Sequence, residues 1–149
     1  MMPPIETLLP HRAPMILLDA VAARDDGTLV AAVTIGPHSL FAEAEGVPAY
    51  VGLEYMAQAC AAYVGGEAMT AGEAVRVGFL LGTRQYLIHT PWFRLGDHLS
   101  VAVSLIYRDE SMATFDGKIT IGDALAAEAR LVVYQPPETL VGPPAERPA

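Results

Sequence analysis

Apolar and small residues run without a polar face from Val47 to Met69 (V-P-A-Y-V-G-L-E-Y-M-A-Q-A-C-A-A-Y-V-G-G-E-A-M). A helix that is apolar all round is normally a buried one. Ala, Leu, Met, Gln and Glu favour helix, and Pro48 suits a first helical turn, where its missing N–H costs nothing. The pattern therefore predicts one long helix over 47–69, weakened at Gly65-Gly66 and closed by Thr70-Ala71-Gly72. Ahead of it, Ile5 to Leu9 reads as a helical turn ended before Pro10, Met15 to Ala22 as a strand, and Leu29 to Ile35 as its hairpin partner across Asp25-Asp26-Gly27. Gly36-Pro37-His38-Ser39 ends that strand, and a loop holding Glu43 and Glu45 leads into the helix. Behind the helix the pattern is that of strands. They are expected over Val75 to Ile88 (with Gly78 and Gly82 inside it), His98 to Tyr107, Met112 to Ile121 and Ala124 to Tyr134. Thr90 to Asp97 reads as a connection, and Pro136 to Ala149 as a Pro-rich tail outside a domain of residues 1–135.

Hairpin-type links imply an antiparallel sheet. A sheet can bury such a helix only by curling around it, with Ala57, Ala59, Ala61, Ala62 and Gly65 admitting a close approach. The expected class is α+β, one curled antiparallel sheet around one helix. An exposed edge strand is a liability, which suggests pairing with a second copy.

Between Ala49 and Gly66 the only formal charge is Glu54, and Gln58 follows one turn on along the same face. A carboxylate in an apolar helix is costly unless paired, hydrogen-bonded or protonated, and structural charges in such helices are uncommon. The acid and the amide are therefore candidate functional groups, although either could serve the fold alone.

Composition narrows the classes. The 149 residues are 52% apolar and 17% charged, enough for one domain with a real core. Net charge is −8 and the nine Lys plus Arg are thinly spread, which argues against nucleic acid. Cys60 is the one cysteine, so no disulfide forms within the chain. The start M-M-P-P-I-E-T lacks the basic segment and apolar run of a signal peptide, and Glu54, Gln58 and paired glycines make the helix a poor membrane span. The expectation is a soluble, cytoplasmic protein without a membrane or nucleic-acid partner. No Cys or His spacing suits a metal, and there is no phosphate loop or serine elbow, so no cofactor is expected.

Four segments resemble one family. L-P-H-R-A-P-M-I-L-L-D-A-V (Leu9 to Val21) is similar to the N-terminal signature of the 3-hydroxyacyl-acyl-carrier-protein dehydratases, which have the hotdog fold. L-E-Y-M-A-Q-A (Leu53 to Ala59) resembles the helix motif that carries their catalytic acid. G-F-L-L-G-T-R-Q-Y-L (Gly78 to Leu87) and R-L-G-D-H-L (Arg94 to Leu99) resemble two later blocks. The resemblance implies loss of water from a 3-hydroxyacyl thioester held on acyl carrier protein or coenzyme A. A base takes the proton beside the carbonyl, an acid protonates the leaving hydroxyl, and N–H groups at a helix N-terminus hold the carbonyl oxygen. By motif position Glu54 is the acid, and burial would favour its protonated form. Gln58 is a positioning residue, and Ala49 and Tyr50 at the expected helix start are candidate substrate contacts.

The chain departs from the family at the base. Aligning Pro48 and Glu54 without a gap puts Leu40 and Phe41 where the family's Gly-His-Phe-Pro block has its His and Phe, and Ala49 at the family's helix-initiating glycine. His38 and His11 are the two candidate replacements; each could equally be a surface or structural histidine. His89 and His98 are expected at strand ends with no special task, Cys60 and Tyr50, Tyr55 and Tyr63 in packing. The pattern is similar to a divergent branch, the dehydratase-like proteins of aryl polyene clusters. That likeness implies polyketide-like chain building and allows a role as partner of a histidine-bearing subunit, so the expected assembly is a homodimer or a heterodimer with a related hotdog chain. A thioesterase is the remaining enzymatic alternative. Acidic carrier proteins and an acidic chain repel, unless Arg12, Arg76, Arg84, Arg94 and Arg108 supply a basic patch or a partner does.

Overall fold

A computed structural model describes residues 2–75 and 79–135. The order is α1 (Ile5–Leu8), β1 (Ala20–Asp25), β2 (Thr28–Thr34), β3 (Gly46–Pro48), a 3-10 turn (Ala49–Val51), α2 (Gly52–Thr70), β4 (Phe79–Ile88), β5 (Trp92–Arg94), β6 (His98–Arg108), β7 (Met112–Ile121) and β8 (Ala124–Tyr134). Six strands form one antiparallel sheet in the order β1-β2-β6-β7-β8-β4, and β3 pairs with β5 in a separate ribbon.

The sheet's inner face packs against α2. Along β2, β6 and β7 the buried positions alternate (Leu29, Ala31, Val33; Leu99, Val101, Val103; Ala113, Phe115, Ile119), the period of a half-buried strand. They meet Tyr55, Met56, Ala59, Ala62 and Tyr63 of the helix. Two aromatic pairs tie the layers: Tyr63 meets Phe115 edge-on at 5.8 Å, and Tyr55 lies 5.9 Å from Phe93. Close approach is set by absent side chains. A Cβ on Gly117 of β7 would stand 2.9 Å from the Met56 sulfur, and one on Gly65 of α2 would stand 2.0 Å from the Leu8 carbonyl oxygen. Gly65 thus serves the contact between α1 and α2 rather than weakening the helix, which continues to Thr70.

Several boundaries differ from the sequence expectations. The helix begins at Gly52, not Val47, because Gly46–Pro48 is extended and bonded to Trp92–Arg94. That ribbon also turns the expected connection over Thr90–Asp97 into β5. The strand expected over Met15 to Ala22 begins only at Ala20; ahead of it the Met15 carbonyl and the Leu17 N–H bond to the side chain of Gln58 rather than to a strand, and the Asp19 N–H is the first to reach β2, at the Ala32 carbonyl. Strand β4 is described from Phe79, so the expected segment Arg76 to Gly78 lies outside the described residues, as does the Pro-rich tail of residues 136–149. The glycine signal at Gly82 holds: the β4–β8 register shifts between Leu80 and Gly82.

Strand β4 is an edge of the main sheet, and Leu80, Leu81, Leu87 and Ile88 on it are exposed. Among the described residues, no helix is long and apolar enough to cross a membrane.

Candidate active site

The first turn of α2 presents Glu54, where the positive end of the helix dipole favours a carboxylate. Gln58, one turn on, is 0% exposed. Its amide is used from every side. Nε2 donates to the Met15 carbonyl at 2.7 Å and to Glu54 Oε2 at 3.1 Å, while Oε1 accepts from the Leu17 N–H at 2.9 Å. Both N–H donors are spent, and flipping the amide would set donor against donor at Leu17, so its orientation is determined by its neighbours. Gln58 therefore clamps the irregular segment 15–17 onto the helix and holds one carboxylate oxygen of Glu54.

Glu54 itself is not buried as the apolar pattern implied: its side chain is 41% exposed. The sheet covers the other faces of α2 and leaves this one open. The carboxylate lies at the rim of a cleft of about 110 Å³. Ala57, Ala61 and Val64 of α2 form its floor, Leu80 of β4 and Val133 and Tyr134 of β8 its wall, and His11 its mouth. The Nε2 of His11 is 3.8 Å from Glu54 Oε2, within ion-pair range but beyond a hydrogen bond. Its Nδ1 is buried with no hydrogen-bond partner among the described residues.

Of the predicted site residues, Glu54, Gln58 and His11 come together. His38 does not: it is exposed in the turn after β2 and forms no hydrogen bond or ion pair with a described residue. Ala49 is buried, and its N–H donates to the Pro91 carbonyl at 3.0 Å, so that donor is not free for a substrate oxygen. Its carbonyl accepts from the Tyr86 hydroxyl. Tyr50 is 68% exposed, against the expectation that it packs, while Tyr55 and Tyr63 do pack. Neither Ala49 nor Tyr50 lines the cleft. His89 pairs with Glu128 at 2.9 Å, and His98 Nδ1 lies 3.1 Å from Thr34 Oγ1. Of the five arginines, Arg108 is committed to Glu67 and Arg76 lies outside the described residues.

Three neighbours escaped sequence reasoning. The clamp to Met15 and Leu17 spans more than forty positions, beyond any helical or strand period. Cys60, expected in the core, is buried yet lines the cleft floor, and burial pushes its thiol pKa upward. Tyr86 turns inward from the edge strand at a register shift, and burial raises its phenol pKa. Among the described residues, no group of three or more His, Cys, Asp or Glu is placed to hold a metal ion.

A curled sheet around one helix is the hotdog architecture, and here an acid and an amide lie on the helix face that opens to a cleft. The family model for the ApeP dehydratase matches residues 3–141, and the chain belongs to this ApeP-like family. It is 32% identical over 136 residues to the 3-hydroxyacyl-[acyl-carrier-protein] dehydratase FabZ of Sulfurimonas denitrificans, covering 85% of this chain and 91% of that one. It is similar to a chain of the dehydratase heterocomplex ApeI:P from Xenorhabdus doucetiae, with a TM-score of 0.89 and 31% identity over 95% of this chain and 96% of that one. The PaaI protein of E. coli, from the phenylacetic acid degradation operon, aligns with a TM-score of 0.60 at 15% identity, over 76% of this chain and 80% of that one, a likeness of fold alone.

Proposed function

We propose that this chain is the acid-bearing subunit of a 3-hydroxyacyl-thioester dehydratase, completed by a histidine-bearing hotdog subunit. One observation carries the reading. Glu54 is held by Gln58 at the rim of an open cleft, yet no described histidine is within hydrogen-bond distance of it: His11 stands at 3.8 Å. Leu40 and Phe41 occupy the loop positions where the dehydratase pattern has its histidine. The likeness to a chain of a dehydratase heterocomplex supports the same assignment, and the exposed apolar edge β4 offers the partner a strand to pair with.

In this reading the substrate is a 3-hydroxyacyl thioester on acyl carrier protein or coenzyme A. The partner's base takes the proton next to the thioester carbonyl. The electron pair forms the new C=C bond and expels the 3-hydroxyl, which leaves as water with the proton of the Glu54 carboxyl. Gln58 keeps that carboxyl aimed at the hydroxyl. The thioester stays intact. A cytoplasmic location goes with a single buried cysteine.

The test is enoyl-thioester formation by the purified chain alone and mixed with a histidine-bearing hotdog subunit. Silence alone, turnover in the mixture, and a loss of about 10²- to 10⁴-fold with Glu54→Gln in this chain are expected, the range of one proton-transfer group. Unchanged turnover with Glu54→Gln overturns the assignment. Full turnover without a partner transfers it to a second reading, a self-sufficient enzyme with His11 as base, which rests on the 3.8 Å approach and which His11→Ala would then abolish. Free thiol release in place of an enoyl product would mark a thioesterase.

A further inference from the structure

From Leu80 to Ile88 every residue of the edge strand β4 is exposed except Tyr86. An irregularity of the backbone aims that one side chain inward. The register with β8 runs through Arg84↔Arg130 and resumes at Leu87↔Glu128, so Gln85 and Tyr86 together stand opposite Ala129 alone. Two residues against one is a β-bulge, which bends a strand and re-aims a side chain. Gln85 carries it at φ 53°. This left-handed conformation is unfavourable for a residue with a side chain, so the bulge is held against a cost.

Tyr86 reaches the start of the central helix. Its hydroxyl donates to the Ala49 carbonyl, which also accepts the Gly52 N–H. The Ala49 N–H is held in turn by the Pro91 carbonyl at 3.0 Å. Gly52 opens α2 and has no room for a side chain. A Cβ there would run into the Tyr86 hydroxyl, and would stand 2.9 Å from Ile119 Cδ1 and 3.0 Å from Phe93 Cζ. Burial raises the pKa of the phenol, so it stays a donor across the neutral range. Glu54 follows two residues after Gly52. Gln58 holds the tip of that acid, whereas Tyr86 holds the backbone turn that carries it. Tyr86 does not line the cleft, so it acts on the chemistry only through the helix.

We infer that Tyr86 is a positioning residue for Glu54: its hydroxyl pins the first turn of α2 to the edge strand and so fixes where the acid stands against the substrate hydroxyl. The inference rests on the proposed function, in which β4 also receives the partner subunit. One strand then places both the acid and the subunit that brings the base.

The test is Tyr86→Phe in the full chain, which removes the hydroxyl and keeps the ring. In the chain alone, amide exchange at Gly52 should quicken about three- to tenfold relative to amides in β6 and β7, the worth of one hydrogen bond. In the mixture with a histidine-bearing hotdog subunit, kcat for enoyl-thioester formation should fall about ten- to a hundredfold, the effect of a small misplacement of a reacting group. KM and the partner concentration at half-maximal turnover should stay within about twofold of the parent, because the hydroxyl touches neither substrate nor partner. A role in folding or subunit pairing alone would move the partner titration or the urea midpoint and leave kcat at saturating partner intact; that result overturns the inference. Unchanged exchange at Gly52 also overturns it. So does an unchanged kcat where Glu54→Gln abolishes turnover, and the proposed function then stands. Unchanged turnover with Glu54→Gln overturns both.

Discussion

Gln58→Leu is the sharpest perturbation of this fold, because one buried amide holds three groups. The replacement keeps roughly the volume and removes three hydrogen bonds, at 2.7, 2.9 and 3.1 Å. The Leu17 N–H is then left in a buried setting without a partner, at a cost of about 1–3 kcal/mol. The Met15 carbonyl belongs to an exposed residue and can turn to water, so its loss costs only about 0.5–1.5 kcal/mol. Burying an aliphatic side chain instead of an amide offsets part of this. The net expectation is about 2–3 kcal/mol, a large share of the 5–15 kcal/mol typical of a domain, and a fall in Tm of about 6–10 °C for a chain of this length. Urea unfolding read by circular dichroism gives the free energy. Amide hydrogen exchange gives the location: protection at Leu17 should fall further than protection in β6 or β7. Because Glu54 loses its anchor as well, partner-complemented turnover should fall although the acid is intact. A variant within about 0.5 kcal/mol of the parent, with Leu17 still protected, would refute the clamp.

Other changes probe the remaining contacts. Gly65→Ala should destabilise by about 1–3 kcal/mol in urea unfolding despite the better helix propensity of alanine, because the new Cβ meets the Leu8 carbonyl at 2.0 Å; a stabilised variant would show that α1 moves away freely. Burial, with a smaller contribution from Asp19, pushes the Tyr55 phenol from 10.0 up to about 12. The folded state thus holds the proton longer than the unfolded one, so this stabilisation is complete below pH 10 and is lost as pH rises from 10 towards 12. Stability followed by urea titration should decline across that window, less so in Tyr55→Phe; an identical decline in the variant would exclude Tyr55 as its source. Cys60 is buried with its thiol pKa raised, so a thiol reagent should label the native chain about 10³-fold or more slowly than the unfolded one. Rapid native labelling would mean that the cleft floor opens to solvent.

The legible part of this molecule was whatever repeats locally. Alternation along His98–Tyr107, Met112–Ile121 and Ala124–Tyr134 placed three strands within one residue of β6, β7 and β8. The unbroken apolar pattern named the central helix, but not its start, since Val47 and Pro48 are as apolar in a ribbon with Trp92 and Phe93 as they would be in a helix. The same pattern misjudged Glu54. An apolar strip reads alike whether the sheet of this chain covers it or something else does, and residues 53, 54, 57, 61 and 64 are the ones this sheet leaves open. That ambiguity bears on the site itself. The i, i+4 spacing of Glu54 and Gln58 predicted their contact because helix geometry enforces it. The approach of His11, the clamp at Met15 and the wall from β4 and β8 depend on how the sheet closes, a long-range outcome that no local period encodes. A cleft with its acid held in place and its helix face uncovered is therefore a feature of the curled sheet as a whole.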